Sequence, residues 1–285
     1  MSLQTNDQRY RLGFIGGGKL AGSVIRGLVR SKFCAPEEIL VSEPYEAARA
    51  SLRDEVGISV TAENAEVAEQ TEVILIGVKP GVVLHVIAEM AAALDGKLVI
   101  SLAAGVGVAA MEGKGRARFM RAMTNTPAAV CQAATAVARG SRSTAGDLAR
   151  AREIFAAVGT VTEVEEGQID AVTALAGSGP AFVYTVIEAL AAGGTNCGLP
   201  AEISLGLATQ TVRGAAQLAL ESKLSPEELR RMVITPGGTT AAGLARMEER
   251  QTAAGLSAAV EAAAARAKEL LPPPDENNYG TGLRS

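Results

Sequence analysis

The sequence predicts an α/β domain with a doubly wound parallel sheet, followed by an all-helical domain. Over the first 168 residues, short apolar runs alternate with helical patterns, and a glycine-rich turn follows the first run. From residue 169 the strand-like runs stop and long alanine-rich helices take over. We therefore expect a sheet domain over 1–168, a helical domain over 169–271 and a disordered polar tail over 272–285.

Composition narrows the possible functions. The chain has 285 residues, a net charge of −4 and no basic block, which argues against nucleic-acid binding. Its three scattered cysteines favour a reducing compartment, and one histidine argues against a histidine-based metal site. No apolar run reaches the roughly 18–20 residues that a membrane span needs. Without a secretory or Arg-rich leader, we expect a cytoplasmic protein that does not contact a membrane.

The first strand is predicted over Arg11 to Ile15, and the first helix ends near Arg30. Between them lies Gly16-Gly17-Gly18-Lys19-Leu20-Ala21, which fits the pattern G-x-G-x-x-A. The first glycine makes the turn, the second lets backbone approach a pyrophosphate, and the small third residue lets helix and strand pack closely. We interpret this segment as a dinucleotide-binding turn.

The second strand, Ile39 to Ser42, ends at an acidic residue. Glu43 falls about 20 residues after the glycine turn, where a carboxylate can bind the ribose diol of NAD and repel a 2′-phosphate. A solvated Glu43 fits the sequence equally well, and Ser42 could bind a phosphate instead. The choice between NADH and NADPH therefore stays open.

The remaining strands of the sheet are predicted at Ile58–Val60, Val73–Val78, Leu98–Leu102, Arg118–Met123, Thr135–Arg139 and Val158–Val164. Ligands bind at the carboxyl ends of parallel strands. Lys79 follows one such end and is either a coenzyme contact or a solvated side chain. The small residues Ala103 and Ala104 follow another and leave room for a ligand. His85, on the next helix, is predicted to be a surface or packing residue.

Helices in the second domain are predicted at Asp170 to about Asn196, Glu202–Glu221, a capped start at Ser225-Pro226, Ala241–Arg250 and Thr252–Leu271. Gly177-Ser178-Gly179-Pro180 interrupts the first helix, where each glycine costs about 1 kcal/mol and a proline about 3 kcal/mol. Close approach of a backbone or ligand would explain these residues, and so would a kink. Since these helices are apolar over much of their surface, we expect a second subunit to cover them.

The segment Thr235-Pro236-Gly237-Gly238-Thr239-Thr240 joins two helices in this domain. A tight Gly-Gly turn that feeds a helix N-terminus can bind an anion through its N–H groups, here those of Gly238 to Thr240. An ordinary N-cap after a turn is the simpler alternative.

Together these motifs resemble the pyrroline-5-carboxylate reductase family, in order and spacing, from about residue 11 to 271. The segments that carry the resemblance are Gly13–Gly18, Val78–Pro80, Met123–Pro127, Asp170–Thr173, Gly177–Pro180 and Thr235–Thr240. The last two together are highly specific to the family. The resemblance implies a Rossmann-type N-terminal domain and an all-α C-terminal dimerisation domain that forms a homodimer and often a decamer.

The resemblance also implies a reaction, the reduction of 1-pyrroline-5-carboxylate to L-proline by NADPH or NADH, and the site residues for it. The implied coenzyme contacts are Gly16, Gly17, Gly18, Lys19, Leu20 and Ala21 at the pyrophosphate, Ser42 near the adenosine ribose, the side chain of Asn64, and Gly77, Val78, Lys79, Pro80, Leu102, Ala103 and Ala104 around the nicotinamide half. Glu43 is a less common residue at its position in the family, so its coenzyme contact is predicted from its spacing alone. The implied substrate contacts are Glu166, Thr235, Gly237, Gly238, Thr239 and Thr240.

The chemistry of an iminium carbon requires neither a metal nor a histidine, because that carbon is already electrophilic. Thr240 is the predicted catalytic residue, through a hydrogen bond to the ring nitrogen. Two other functions stay open: a dehydrogenase of another small carboxylated substrate such as a β-hydroxy acid, and a dinucleotide sensor without turnover. The first usually needs a lysine on the long interdomain helix, and Asp170–Asn196 contains none.

Overall fold

A computed structural model describes residues 10–270 of the chain. Its contacts form two units: a sheet unit, made of residues up to Gly177 and from Ala263 onward, and a helical unit, Ser178–Ala262. The polar start of the chain and the tail predicted to be disordered, 272–285, lie outside the described residues.

One eight-stranded sheet organises the sheet unit. Its strands are β1 (Leu12–Ile15), β2 (Ile39–Ser42), β3 (Ser59–Thr61), β4 (Val73–Ile76), β5 (Leu98–Ser101), β6 (Arg118–Met123), β7 (Ala133–Arg139) and β8 (Gly159–Glu163), in the spatial order β3-β2-β1-β4-β5-β6-β7-β8. Every predicted strand is present. The largest difference that affects the site is at β4, which ends at Ile76 instead of Val78, so that Gly77 and Val78 belong to the following turn.

Helices and short turns cover both faces of the sheet. They are α1 (Lys19–Arg30), α2 (Glu46–Val56), α3 (Asn64–Gln70), α4 (Pro80–Glu89), α5 (Val108–Glu112), α6 (Ala145–Ala156) and α7 (Ile169–Val172), with 3-10 turns at Pro36–Glu38, Thr126–Val130 and Glu166–Gln168. Successive residues of a strand point to opposite faces. Phe14 and Leu75 accordingly join one core cluster, while Ile15 and Ile74 join another. This two-sided burial explains why the central strands β1, β2, β4 and β5 are nearly continuous apolar runs in the sequence.

The last two strands correct the prediction of a wholly parallel sheet. Strands β1 to β6 run parallel, but β7 is antiparallel to β6, and β8 follows the direction of β7. A parallel crossover needs a dozen or more residues, usually a helix. Only residues 124–132, with the short turn Thr126–Val130, join β6 to β7, so the chain has to reverse.

The helical unit leaves most of its apolar surface uncovered. The helices are α8 (Gly179–Asn196), α9 (Ala201–Glu221), α10 (Pro226–Met232), α11 (Thr239–Glu249) and α12 (Thr252–Glu269), the last of which continues into the sheet unit from Ala263. No residue of α8 is buried, and α9 buries only Ser204 and Ala208. The predicted cap at Ser225 is confirmed, because its hydroxyl accepts from the N–H of Glu228 at 3.2 Å.

The interrupted helix contains a π-helical turn at Thr173–Gly177, directly before α8. By length and composition, the helical run Glu166–Asn196 is long and apolar enough to cross a membrane, and 6% of its apolar window is buried. The expectation that no segment meets this criterion was therefore wrong. Its Gly, Ser and Thr residues break the apolar run but lower the mean hydropathy little. A helix that another subunit covers has the same composition.

A substitution at Gly27 in α1 tests how tightly this helix packs against Ala128 and Val158. A Cβ at Gly27 would lie 2.1 Å from the carbonyl oxygen of Ala128 and 2.8 Å from Val158 Cγ1. Overpacking typically costs about 1–3 kcal/mol, so Gly27→Ala should lower the free energy of unfolding, measured in urea, by at least that amount. The control is Gly146→Ala in α6, whose Cβ would be 3.6 Å from Thr144 Oγ1. This control should be neutral or stabilise by up to about 1 kcal/mol; equal losses in both variants would contradict the packing argument.

Candidate functional site

The sheet changes its direction of growth between β1 and β4. These strands are neighbours in space, yet β2 and β3 lie on one side of them and β5 to β8 on the other. At such a switch point the turns after the two strands diverge and leave a crevice at their carboxyl ends, where ligands bind in open α/β sheets. The N–H of Gly16 donates to Ser42 O and the N–H of Gly77 to Ile15 O, both at 2.8 Å, which fixes the two turns.

The glycines of these turns have different structural roles. Gly16 has a φ of +91°, and a Cβ there would lie 2.9 Å from Val78 Cγ1. A Cβ on Gly77 would lie 2.7 Å from that of Ala21, so both residues must be small for the turns to pack. By contrast, a Cβ on Gly18 would meet only the carbonyl oxygen of Gly77, at 4.0 Å.

The open space beside Gly18 therefore forms a cradle at the N-terminus of the 12-residue helix α1. Gly18 and Lys19 are exposed there, and Leu20 is half-buried. The first N–H groups of a helix have no intrahelical partner and carry a partial positive charge. A cradle that a side chain would partly fill, lined by such donors, fits a pyrophosphate.

Glu43 is held by the glycine turn. Its carboxylate accepts from the N–H of Gly17 at 3.0 Å and from the N–H of Tyr45 at 3.3 Å, and the residue is 7% exposed. The alternative of a solvated Glu43 was therefore wrong. Each carboxylate oxygen has further lone pairs, so Glu43 can still accept hydrogen bonds from ribose hydroxyls.

Ser42 and Asn64 form a pair on the same edge of the sheet. The buried Ser42 hydroxyl donates to Asn64 Oδ1 at 2.7 Å. This bond uses the proton that Ser42 would offer to a phosphate and leaves the Asn64 amide donors for a ligand.

Arg49, which the sequence analysis did not predict as part of the site, lies beside Glu43. From α2, its guanidinium donates to the carbonyl oxygens of Glu43 at 2.5 Å and Pro44 at 2.9 Å, and it pairs with Glu46 at 2.5 Å. This cation is therefore engaged with protein groups beside Glu43. The only sequence signal for Arg49 is its position in the first turn of α2, shortly after the end of β2.

The segments after β4 and β5 are joined at their start. The N–H of Leu102 donates to Ile76 O at 2.9 Å, and the N–H of Ala103 to Ser101 Oγ at 3.3 Å. Leu102 and Ala103 are buried and Ala104 is half-buried. On the neighbouring turn, Val78 and Pro80 are half-buried while Lys79 is exposed and caps α4. Small and partly exposed residues thus line the edge on this side of the switch point.

Glu166 joins this unit through a buried arginine that the sequence analysis did not single out. Its Oε1 accepts from the N–H of Val108 at 2.5 Å and lies 3.5 Å from Nη1 of Arg121. Burial lowers the pKa of the Arg121 guanidinium, and the carboxylates of Glu166 and Asp170 oppose that shift. The available sequence signal was an arginine in the interior of β6, between the apolar residues Met120 and Ala122.

The helical unit holds the second candidate site, the turn Thr235–Thr240. Gly237 has a φ of +71°, and a Cβ on Gly238 would lie 2.3 Å from Thr235 Oγ1. The N–H of Gly238 donates to Thr235 O at 2.9 Å, so the prediction that it would serve a ligand was wrong. Helix α11 begins at Thr239, and the N–H groups of Thr239 and Thr240 point outward from its first turn. Thr240 is half-buried and Thr239 exposed.

Residues 10–270 contain no group of three or more His, Cys, Asp or Glu residues that could hold a metal ion. The side chain of His85 is 62% exposed and lies 3.0 Å from Glu89, as expected for a surface residue.

Comparison with known proteins gives two family matches. The family model described as pyrroline-5-carboxylate reductase dimerisation matches residues 166–270, and the one described as NADP oxidoreductase coenzyme F420-dependent matches residues 11–105. Pyrroline-5-carboxylate reductase from Synechocystis sp. is 44% identical over 240 residues, which is 84% of this chain and 90% of that protein.

Solved structures are similar over almost the whole chain. A pyrroline-5-carboxylate reductase from Coxiella burnetii has a TM-score of 0.83 and 34% identity, and the match covers 93% of this chain and 99% of that one. Pyrroline carboxylate reductase from Plasmodium falciparum, solved with NADP bound, has a TM-score of 0.84 and 27% identity, with 92% and 98% covered.

Substitutions at Gly18 and Gly16 separate the cradle from the packing of the turn. Gly18→Ala should leave the thermal unfolding temperature unchanged, because its Cβ enters open space, but it should weaken binding of reduced nicotinamide coenzyme at least about tenfold by filling the cradle. Gly16→Ala should lower the unfolding temperature as well, owing to its positive φ and the contact with Val78. Nicotinamide fluorescence titration and thermal unfolding measure the two effects. Unchanged coenzyme affinity in Gly18→Ala would rule out the cradle.

Proposed function

The chain belongs to the pyrroline-5-carboxylate reductase family, and we propose that the cradle beside Gly18 binds the coenzyme and the turn Thr235–Thr240 binds the substrate. The protein reduces 1-pyrroline-5-carboxylate to L-proline with NADPH or NADH, the last step of proline biosynthesis. The observation that carries this conclusion is family identity over most of the chain, joined to an open glycine cradle at the sheet's switch point. The same identity argues against the β-hydroxy acid alternative.

The sheet unit binds the coenzyme in this proposal. The pyrophosphate lies on residues Gly16 to Ala21, the adenosine ribose lies at Ser42, Glu43 and Asn64, and the nicotinamide half lies along Gly77–Pro80 and Leu102–Ala104. When bound, the reduced nicotinamide supplies the hydride. The backbone donors of the glycine turn offset the charge of the pyrophosphate, and the small residues after β5 leave room for the ring.

Glu43 makes NADH the preferred coenzyme. Two backbone N–H groups hold its carboxylate in place before the coenzyme binds, so little rotamer freedom is lost on binding. A 2′-phosphate beside this carboxylate would be repelled. The guanidinium of Arg49, which donates to the Glu43 carbonyl oxygen, already binds Glu46 and Pro44 as well. The Ser42 proton is donated to Asn64.

The turn Thr235–Thr240 binds the substrate. Its carboxylate accepts from the N–H groups of Thr239 and Thr240, where the helix dipole of α11 adds to the attraction. Gly237 and Gly238 allow the tight backbone, and Thr235 supports it by accepting the N–H of Gly238. We assign a further substrate contact to Glu166, which belongs to the sheet unit.

Thr240 orients the ring nitrogen of the substrate through its hydroxyl. An iminium carbon accepts hydride without further activation, so the task of the protein is to align donor and acceptor and keep the nitrogen protonated. A threonine hydroxyl is too weak an acid to deliver a proton at neutral pH. The substrate therefore binds protonated, or a water relays the proton.

Assembly follows from the surface of the helical unit. A dimerisation domain over residues 166–270 makes the protein an oligomer. We assign the contact to the C-terminal helices, because large apolar side chains there are uncovered, including Leu207, Leu218 and Leu220 at 56%, 54% and 74% exposure. A homodimer, and a decamer built from it, are the proposed states. The proposed boundary between the coenzyme domain and the substrate domain lies between residues 168 and 169. The proposed location of the protein is the cytoplasm.

The Thr240 hydroxyl can be tested by truncation. Thr240→Ala should lower kcat by about 10- to 1,000-fold, the range for one oriented hydrogen-bonding group. The conservative Thr240→Ser keeps the hydroxyl and should stay within about threefold of the wild type, since it retains the hydrogen bond. Both are measured with saturating reduced coenzyme and varied 1-pyrroline-5-carboxylate. Near-normal turnover in Thr240→Ala would remove Thr240 from the mechanism.

Coenzyme preference tests Glu43. The wild type should show at least about tenfold higher kcat/KM with NADH than with NADPH, because like-charge contacts cost several kcal/mol. Glu43→Gln keeps an oxygen acceptor for the Gly17 N–H and removes the charge, so the ratio should fall towards one. Glu37→Gln, an exposed glutamate in a 3-10 turn, is the charge-matched control and should leave the ratio unchanged. An unaltered ratio in Glu43→Gln would assign the preference to other groups.

A further inference from the structure

Arg121 is a buried cation with unmet hydrogen-bonding capacity. It lies in the middle of β6, paired in register with Ser101 of β5 and Ala138 of β7. Its side chain is 5% exposed, and Nη1 lies 3.5 Å from Oε1 of Glu166. Its Nε and Nη2 atoms are buried and have no hydrogen-bond partner in the part of the chain that the structure describes.

This arrangement is a poor way to stabilise a fold. Removing a guanidinium from water is costly, and one long contact to a partly exposed carboxylate offsets little of that cost. Apolar residues of similar volume at such positions are often as stabilising or more so. The Nε and Nη2 donors also form the edge of arginine that can bind both oxygens of one carboxylate. Asp170, which acts electrostatically on Arg121, is the second acid near it.

The neighbours of Arg121 adjoin the coenzyme segment Leu102–Ala104 and include the assigned substrate contact Glu166. Ser101, its register partner, directly precedes the coenzyme segment Leu102–Ala104, and the loop that follows ends at Val108. Glu166 bridges these parts, because one carboxylate oxygen contacts both the N–H of Val108 and Arg121. Without the arginine, Glu166, which is 36% exposed, would lose its only paired cation among the described residues and could turn towards solvent.

We propose that Arg121 is a positioning residue for the reduction: it fixes the Glu166 carboxylate against the loop that follows β5, and so determines how firmly the substrate is held. The inference rests on the proposed function, in which Glu166 contacts the substrate. Arg121 itself is assigned no ligand contact, because its side chain is 5% exposed and its ion pair is with Glu166.

A second arginine on the same strand provides the matched control. Arg118, at the start of β6, donates through Nε to both carboxylate oxygens of Asp147, at 3.1 and 2.9 Å. Asp147 also accepts from the N–H of Thr144 at 2.8 Å as part of the cap of α6. That ion pair is fully satisfied and contacts neither ligand segment, so its role is structural.

The experiment compares full-length wild type, Arg121→Met, Glu166→Gln and the double variant. With saturating reduced coenzyme, Arg121→Met should raise KM for 1-pyrroline-5-carboxylate at least about tenfold, as expected when a supporting contact misplaces a binding group. The dissociation constant for NADH, from nicotinamide fluorescence, should stay within about threefold because the coenzyme contacts lie elsewhere. The double variant should be no worse than the worse single variant, since both changes remove one interaction.

Two further variants make the result decisive. Arg121→Lys keeps the charge without the planar fork and should restore part of the loss. Arg118→Met should lower the unfolding temperature and leave KM unchanged.

An unchanged KM in Arg121→Met, or additive effects in the double variant, would overturn the inference. If Arg121→Met does not fold, KM is measured in Glu166→Gln and Arg121→Lys instead. A wild-type KM in both of these variants would overturn the inference. Absence of turnover by the wild type, with coenzyme binding intact, would instead overturn the proposed function.

Discussion

The coenzyme edge of the sheet depends on how closely the turn after β1 approaches the turn after β4. The contacts that a Cβ would make at Gly16 and at Gly77 are both shorter than 3 Å, against Val78 and Ala21 respectively. Only small residues permit that approach, and with it the N-terminus of α1 lies directly over the switch point of the sheet. The cradle beside Gly18 and the hydrogen bond from the Gly17 N–H to the Glu43 carboxylate both follow from this one steric constraint.

A second group of contacts fixes the segment between the sheet and α8. After the reversal at β7, residues 166–177 return to β6, where Glu166 lies 3.5 Å from Arg121. There Asn125 Nδ2 donates to Ala176 O at 3.1 Å, its Oδ1 accepts from the N–H of Ala134 at 3.2 Å, and Thr124 and Thr135 share a hydrogen bond of 2.7 Å. A buried polar network of this kind specifies one arrangement when its members are satisfied. The π-helical turn, a feature frequent at functional sites, lies within this segment.

The strands and the glycine turn could be predicted from the sequence because both have local signals. The strands appear as apolar runs, which burial on both faces requires, and the glycine turn appears as a motif with fixed spacing. The sequence predicted α11 to begin at Ala241, whereas the extended Gly238 caps the helix and Thr239 is its first residue. The reversal of β7 was missed because strand direction is set by the length of a link and not by the strand's own pattern. Arg121 was missed because its partners are distant in sequence, and the buried position of Glu43 depends on a turn 26 residues away.

In the proposed function, this chain holds a reduced nicotinamide coenzyme and a cyclic imine so that hydride passes between them. The most direct measurement follows the absorbance of the reduced coenzyme in the presence of 1-pyrroline-5-carboxylate and quantifies the proline formed. We expect rapid loss of absorbance and one proline for each coenzyme oxidised, as required for a two-electron reduction. A folded sample that binds the coenzyme but forms no proline with either NADH or NADPH would contradict the proposed function.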